Sequence, residues 1–529
     1  MSISRRNIVK GLASAGAAAA LARGRGARAA AAPAYPPPPR EWTGHNRNLG
    51  RYYRAAGYPA FDAHPRYLGE LRGTWTQIGR LYGERAADLI RMVYEGWYRE
   101  LLPIQGSPAV MADYLRQQNA YYEMLVPEAL ELMHGIADGA ASELAASAFA
   151  RQLSHFDKIL MINSYFGLQG RPPRGESAEI APPEEDTHCC SGAVMLGAAT
   201  ADGQAIHCSS EDQHFFPQEY LVSFIAAPSD RRAHRYTITD SAGEIGSEHA
   251  MNDRGVVVSG YAGGGVNILG PTLAEPFSGY RRPGLDWQVG DFFGAAFGAS
   301  AAEAVSLLTV GRPDYRRKSG MKIVVGKCTR GANWVVSDRA HAFVVESIPA
   351  DQHGMARYAV RKPGDLGEEK AAFVASCNNV EAHNSYDDQN RLDPSHPMAM
   401  HGDATSHPRY AGLNVSGTRF WTFTWLIRNH FGKITPEMVE QWRHTHYFYD
   451  AAGKRHDTVE VDGKHVAPAF APGSGTLCRH TIAAPGDDNF KGINIYVSLS
   501  LPERLECRRT KGRPCEWEGA WDRIVLGKD

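Results

Sequence analysis

The chain has 529 residues, 43% hydrophobic and 22% charged, with 54 glycines and 31 prolines. This ordinary globular composition excludes collagen, coiled coil and wholesale disorder, and allows three domains or one large one. The formal charge is −1, and setting aside the first thirty residues, which hold six cations and no acid, takes it to −7. Nucleic acids and anionic lipids need clustered Lys and Arg, so neither is expected as a partner and small or neutral ligands are.

Residues 1–32 resemble a twin-arginine export signal. Arg5-Arg6 precede Ile8-Val9-Lys10, and an alanine-rich run from Gly11 to Ala22 follows, too short to span a membrane. The expected location is periplasmic or secreted, with no stable membrane anchor. Residues 33–41, with PAYPPPP at Pro33–Pro39, read as a stiff Pro-rich linker. Residues 42–189 form an α-rich leader, in which Tyr67–Tyr98 and Tyr114–Ala137 carry apolar residues at helical spacing. Within it, residues 171–186 hold four prolines and several charges and read as an exposed tether. Residues 190–529 change texture to a β-rich body. Strands are predicted at Ala193–Leu196, Ala205–Cys208, Tyr220–Ala226, Gly255–Gly260, Lys322–Val325, Ala342–Glu346 and Ile493–Leu499. Helices are predicted at Ala301–Leu308, Gly417–His430 and Thr435–Gln441.

The eight cysteines lack the paired CxxC spacing of metal sites, so neither metal nor cofactor is expected. Cys507 and Cys515, in a polar loop, are the best disulfide candidates. The adjacent pair Cys189-Cys190 is different. Two neighbouring thiols invite oxidation, a liability that points to chemistry, although a buried pair opening a strand is the structural alternative. Placed after the tether, the Cys190 thiol could attack the Cys189 carbonyl and cut the chain by an N-to-S shift. The freed α-amine, with a pKa of roughly 7.7–8.0, could then act as general base for its own thiol.

Several segments resemble, in order, the N-terminal-nucleophile hydrolases related to acyl-CoA:isopenicillin N acyltransferase, with bile salt hydrolases and phospholipase B-like proteins as more distant relatives. The leader phrases are Ile78-Gly79-Arg80-Leu81-Tyr82-Gly83-Glu84, Gly135-Ile136-Ala137-Asp138-Gly139-Ala140 and Ile159-Leu160-Met161-Ile162-Asn163. The body adds Cys190-Ser191-Gly192-Ala193, Ala201-Asp202-Gly203, Ser210-Glu211-Asp212, Met251-Asn252-Asp253-Arg254-Gly255 and Ser376-Cys377-Asn378-Asn379. The resemblance covers most of residues 70–500 and implies an α+β fold: a four-layer αββα sandwich with an α-rich N-terminal pro-region retained as a separate chain after cleavage.

Carried over by position, the resemblance makes Cys190 the nucleophile and Cys189 the leaving side of the cut. Asp212 would hold the freed ammonium. Asn378, or its neighbour Asn379, would donate to the oxyanion. Arg419, in Ser416-Gly417-Thr418-Arg419-Phe420, would favour thiolate. Two departures stand out. The double cysteine leaves the cleavage register open by one residue, with Cys190 preferred because Ser191 then fills the family's small-hydroxyl position. The second oxyanion asparagine of bile salt hydrolases would fall near Ala262, so that donor must be backbone. Other features are discounted: Gly263-Gly264-Gly265 lacks dinucleotide-site context, His444-Thr445-His446 lacks a third ligand, and Gly473-Ser474-Gly475 is one residue short of a nucleophile elbow. Trp421, Phe423 and Trp425 wall a pocket or pack a helix core.

The expected activity is that of an exported, self-activated zymogen: a cysteine amidohydrolase cleaving a linear N-acyl amide through an acyl-thioester. Acyl transfer to an amine, phospholipase B-like ester hydrolysis and a non-catalytic periplasmic binding role are the alternatives. Oligomeric state is not legible in the sequence.

Overall fold

A computed structural model describes residues 65–168, 190–213, 220–246, 249–262, 284–312, 332–348, 357–377, 415–442, 447–450, 452–457, 459–461, 464–466, 477–484, 492–500 and 522–527. The expected signal, linker, tether, Cys189, Asn378, Asn379, the strand at Lys322–Val325, the glycine run, both histidine and Gly-Ser-Gly motifs, and Cys507 and Cys515 lie outside these residues.

The leader opens with a strand rather than the expected helix. Gly69 and Gly73 take φ of 81° and 135°, which breaks any helix before Trp75, and β1 (Arg66–Gly73) pairs in parallel with β4 (Leu221–Pro228). Helix α1 (Trp75–Gln105) then starts at a full capping box, in which Thr74 and Gln77 satisfy each other's backbone donors. It is followed by α2 (Pro108–Leu125), α3 (Pro127–Gly139), α4 (Ala141–Ala146), α5 (His155–Ile162) and α6 (Tyr165–Leu168).

Helix α1 crosses α3 with the two backbones in close approach. A methyl at Gly79 would sit 2.1 Å from the Leu132 carbonyl, and one at Gly135 would sit 2.2 Å from the Thr76 carbonyl. Gly83 and Gly139 repeat the pattern one turn on. The two leader phrases that resembled a family signature are thus the four glycines that let these backbones touch.

In the body, six strands form one antiparallel sheet in the order β11 (Phe373–Cys377), β2 (Ser191–Met195), β3 (Ile206–Gln213), β16 (Leu477–Ala484), β17 (Gly492–Ser500), β18 (Asp522–Gly527). A second sheet runs β10 (Arg357–Arg361), β9 (Ala342–Ile348), β8 (Ala332–Ser337), β7 (Val257–Ala262), β6 (Ala250–Met251). The leader's β1 joins β4 and β5 (Tyr236–Ser241) in a third. Two short hairpins, β12 (Phe448–Tyr449) with β13 (Arg455–His456) and β14 (Val459–Val461) with β15 (Lys464–Val466), complete the described strands.

Helices α7 (Trp287–Phe297) and α8 (Ala301–Val310) pack on the five-stranded sheet, and α9 (Val415–Asn429) packs on β11 and β2. The two large sheets meet where β2 touches β8 and β3 touches β7. Under α9, Ala193, Met195, Cys208, Phe373 and Ala375 from the sheet meet Phe420, Phe423 and Ile427 from the helix in one apolar cluster, which α10 (Pro436–Trp442) extends. Phe423 is therefore a core residue.

Leader and body are stitched by more than β1. Tyr82 Oη accepts from Gly243 N at 2.7 Å and donates to the Glu244 carbonyl at 3.2 Å. Asn163, which ends the third leader phrase, donates to the Gly243 carbonyl at 2.8 Å and accepts from Ile245 N at 2.9 Å. Glu128 bridges to Arg232 at 2.9 Å and to the buried Arg312 at 2.7 Å. Asn252, of the Met-Asn-Asp phrase, donates to the carbonyls of Ala295 and Gly298, both at 2.8 Å, and so ties off the end of α7. No helix of the described residues is long and apolar enough to cross a membrane.

Candidate active site

Cys190 is fully buried at the head of β2. Its successor Ser191 is flanked on both sides, opposite Ser210 of β3 and Cys377 of β11. The next residue, Gly192, pairs with Ser209 and Ser376 in the same way. Strand side chains alternate between faces. Ala193 and Met195 belong to the cluster beneath α9, so Gly192, and position 190 by the same parity, belongs to the face turned toward the second sheet.

That face is crowded by Tyr261 of β7. A Cβ on Gly192 would lie 2.0 Å from the Tyr261 hydroxyl and 2.3 Å from the Cys208 carbonyl, so only glycine fits two residues after the thiol. Tyr261 stands directly opposite Asn333 of β8, and Asn333 Nδ2 donates to the Cys377 carbonyl at 2.8 Å. Just before Tyr261, the Gly260 amide donates to Asp291 Oδ2 on α7 at 3.1 Å. Burial pushes the Asp291 carboxyl well above the usual carboxylate range, and its bond from Gly260 only partly offsets this.

Deeper between the sheets runs a second polar chain. His207 meets Ser337 at 2.8 Å and Ser259 at 3.1 Å, and Ser259 meets His249 at 2.8 Å. His207 pairs with Val194, four residues along β2 from Cys190, a spacing of roughly 13 Å along a strand. The chain binds β3 to β7 and β8 and is separate from the thiol.

The expected site residues are placed as follows. Asp212 is on β3, two residues beyond the Ser210–Ser191 pair and opposite Cys478 of β16. Cys377, the residue before Asn378, pairs with Ser191, the residue after Cys190. Arg419 is 2% exposed on α9, which covers the face of β2 opposite to Tyr261. The structure thus brings Cys190, β3 and the end of β11 together, and puts the Arg419 helix on the other side of that sheet. Sequence reasoning missed Tyr261, Asn333 and Asp291. The small residue at 192 was the available signal, because a strand glycine marks a close approach by another group. Among the described residues, no group of three or more His, Cys, Asp or Glu side chains could hold a metal ion.

No family model matches the chain, and no curated protein matches it. Among solved structures, it is similar to a Caenorhabditis elegans N-acylethanolamine-hydrolyzing acid amidase ortholog, with a TM-score of 0.31 and 12% identity over 57% of this chain and 94% of that one. It is also similar to a mutant of the conjugated bile acid hydrolase from Clostridium perfringens, with a TM-score of 0.28 and 8% identity over 64% of this chain and 97% of that one.

Proposed function

We propose that this chain is an N-terminal-nucleophile cysteine amidohydrolase that cuts itself before Cys190 and then hydrolyses a linear N-acyl amide. The observation that carries the reading is the position of Cys190: a buried thiol heading a strand, between β3 and the end of β11, on the face turned toward a second sheet. The packing of α9 outside one sheet and of α7 and α8 outside the other supports the four-layer αββα arrangement implied by the sequence resemblance.

In the self-cleavage, Cys190 sulfur attacks the Cys189 carbonyl and the C–N bond breaks. Water then hydrolyses the resulting thioester, leaving a carboxyl on Cys189 and an α-amine on Cys190. That amine takes the thiol proton. The thiolate attacks the substrate carbonyl, the amine product leaves with a proton, and water releases the acyl group as a carboxylic acid. Asp212 holds the α-ammonium, Asn378 (or Asn379) faces the oxyanion, and a backbone N–H supplies the second donor. Arg419, expected from the sequence to favour thiolate, is on the helix that covers the opposite face of the sheet and takes no part in this scheme. The leader remains bound after the cut, as its shared sheet and the Tyr82 and Asn163 bonds favour. Export by the twin-arginine route is part of the same proposal.

The test is a gel and an amine assay. Purified protein should run as two fragments divided near residue 190 and release amine from members of a panel of N-acyl amides, while Cys190→Ala stays whole and inactive. An intact chain with full activity, or turnover by Cys190→Ala, overturns the proposal.

A further inference from the structure

Among the described residues, β11 is an edge strand of the six-stranded sheet, with β2 on one side only. An edge leaves a row of backbone groups to be satisfied by something other than a strand. Here two side chains from the other sheet meet that need. Arg361 of β10 donates through Nη2 to the Ala375 carbonyl at 2.7 Å, and Asn333 of β8 donates through Nδ2 to the Cys377 carbonyl at 2.8 Å. Carbonyls two residues apart point the same way from a strand, so the two donors grip consecutive edge carbonyls of β11.

The grip is itself braced. Asn333 lies opposite Tyr261 on one side and Glu346 of β9 on the other. Glu346 accepts from Arg361 Nε at 3.1 Å, and Glu368 lies 3.6 Å from Arg361 Nη1. All of these groups except Glu368 are at most 1% exposed, and Glu368 is 8% exposed. A buried guanidinium paired with carboxylates keeps its geometry, and Tyr261 is wedged against Gly192. The row Tyr261, Asn333, Glu346, Arg361 therefore ties the second sheet to the strand end beside Cys190.

We propose that Asn333 is a positioning residue for the Cys190 site. It acts through the end of β11: holding the Cys377 carbonyl fixes the strand terminus that pairs with Ser191, the residue after the nucleophile. This rests on the amidohydrolase reading. A donor is required at position 333; bulk alone does not suffice.

Asn333→Asp tests this, because the two side chains match in shape and only the protonated acid can donate. The titratable and charged groups of the described elements around position 333 are Tyr261, Glu346, Arg361, Glu368, Cys190 and Cys377. Burial and the Glu346 charge favour the neutral acid at 333 while the Arg361 guanidinium favours the ionised one, so the acid loses its proton at high pH and regains it as the pH falls. With the most rapidly cleaved N-acyl aminomethylcoumarin as probe, kcat of Asn333→Asp relative to the parent should fall about 100-fold at pH 8, with KM within about twofold. The ratio should recover as the pH is lowered and the acid regains its proton. A parent-like kcat at pH 8, or a loss that does not change with pH, overturns the proposal. If Asn333→Asp does not fold, Asn333→Ser carries the test: kcat lost at constant KM supports the proposal, and parent kcat overturns it. Cys190→Ala assayed alongside separates the two levels. Activity in that variant defeats the amidohydrolase reading itself, whereas an inactive Cys190→Ala beside a parent-like Asn333→Asp defeats the positioning role alone.

Discussion

Replacing Gly135 by alanine tests the crossing of α1 on α3. Two effects compete. Alanine gains about 0.5–1 kcal/mol over glycine in a helix interior. Against this, the new methyl would stand 2.2 Å from the Thr76 carbonyl, 2.8 Å from Arg80 N and 3.0 Å from Gly79 Cα, all backbone atoms that cannot swing aside. Ordinary carbon contacts lie near 3.5 Å, so the helices must part by roughly 1 Å, which forfeits up to about half of each dispersion contact between them. Leu132 and Ile136, both fully buried, supply backbone atoms to this seam. Overpacking of this kind costs about 1–3 kcal/mol, so the steric term wins and Gly135→Ala should lose about 1–2 kcal/mol net. Paired urea melts at one temperature measure the difference. Gly79→Ala should cost as much alone but less in the Gly135→Ala background, because helices already parted admit the second methyl cheaply. An equally or more stable Gly135→Ala, or strict additivity, would refute the close-approach argument.

Two further outcomes follow from the buried acids. Asp291→Ala leaves the Gly260 amide without its acceptor and should lose about 1–3 kcal/mol. Asp291→Asn, which keeps an acceptor in place of a carboxyl whose charged form burial disfavours, should lose less, as thermal melts at pH 7 will register. Equal losses would count against the assignment. Glu244 is pushed well above its ordinary 4.5, first by burial and then by the Asp240 charge beside it. The folded state therefore binds the proton more tightly than the unfolded one, and stability falls as the pH rises from about 4.5 toward the raised value. Glu244→Gln removes this cost and should raise the melting temperature at pH 7, with the gain shrinking toward pH 4.5. A gain that does not change with pH would contradict the cause given.

Much of the plan was legible because its signals are local. Cys190 opens a strand as its apolar run suggested, and α1 and α3 carry the expected helical stripe. The leader phrases marked real constraints, although their meaning lay in packing: Gly79, Gly83, Gly135 and Gly139 at the crossing, Asn163 at the seam. Tyr67–Gly73 reads as helix because Leu68 and Leu71 sit three apart, a helical spacing, while the strand Arg66–Gly73 exists through its pairing with β4 some 150 residues later. Helix α7 went unseen because all eleven of its residues are buried, which leaves no polar face to reveal a period. The row Tyr261, Asn333, Glu346, Arg361 depends on the register of four strands, which composition along one stretch of chain does not encode.

The parallel pairing of β1 with β4 has a thermodynamic consequence. A chain severed between Leu168 and Cys190 would still be held as one body by that ladder, but its denaturation would now be a dissociation. Recovery from urea would become second order in fragment concentration, and dilution alone would lower the apparent midpoint. The half carrying β4 would also emerge from denaturant with an open ladder edge, prone to capture by a second copy before its own leader returns.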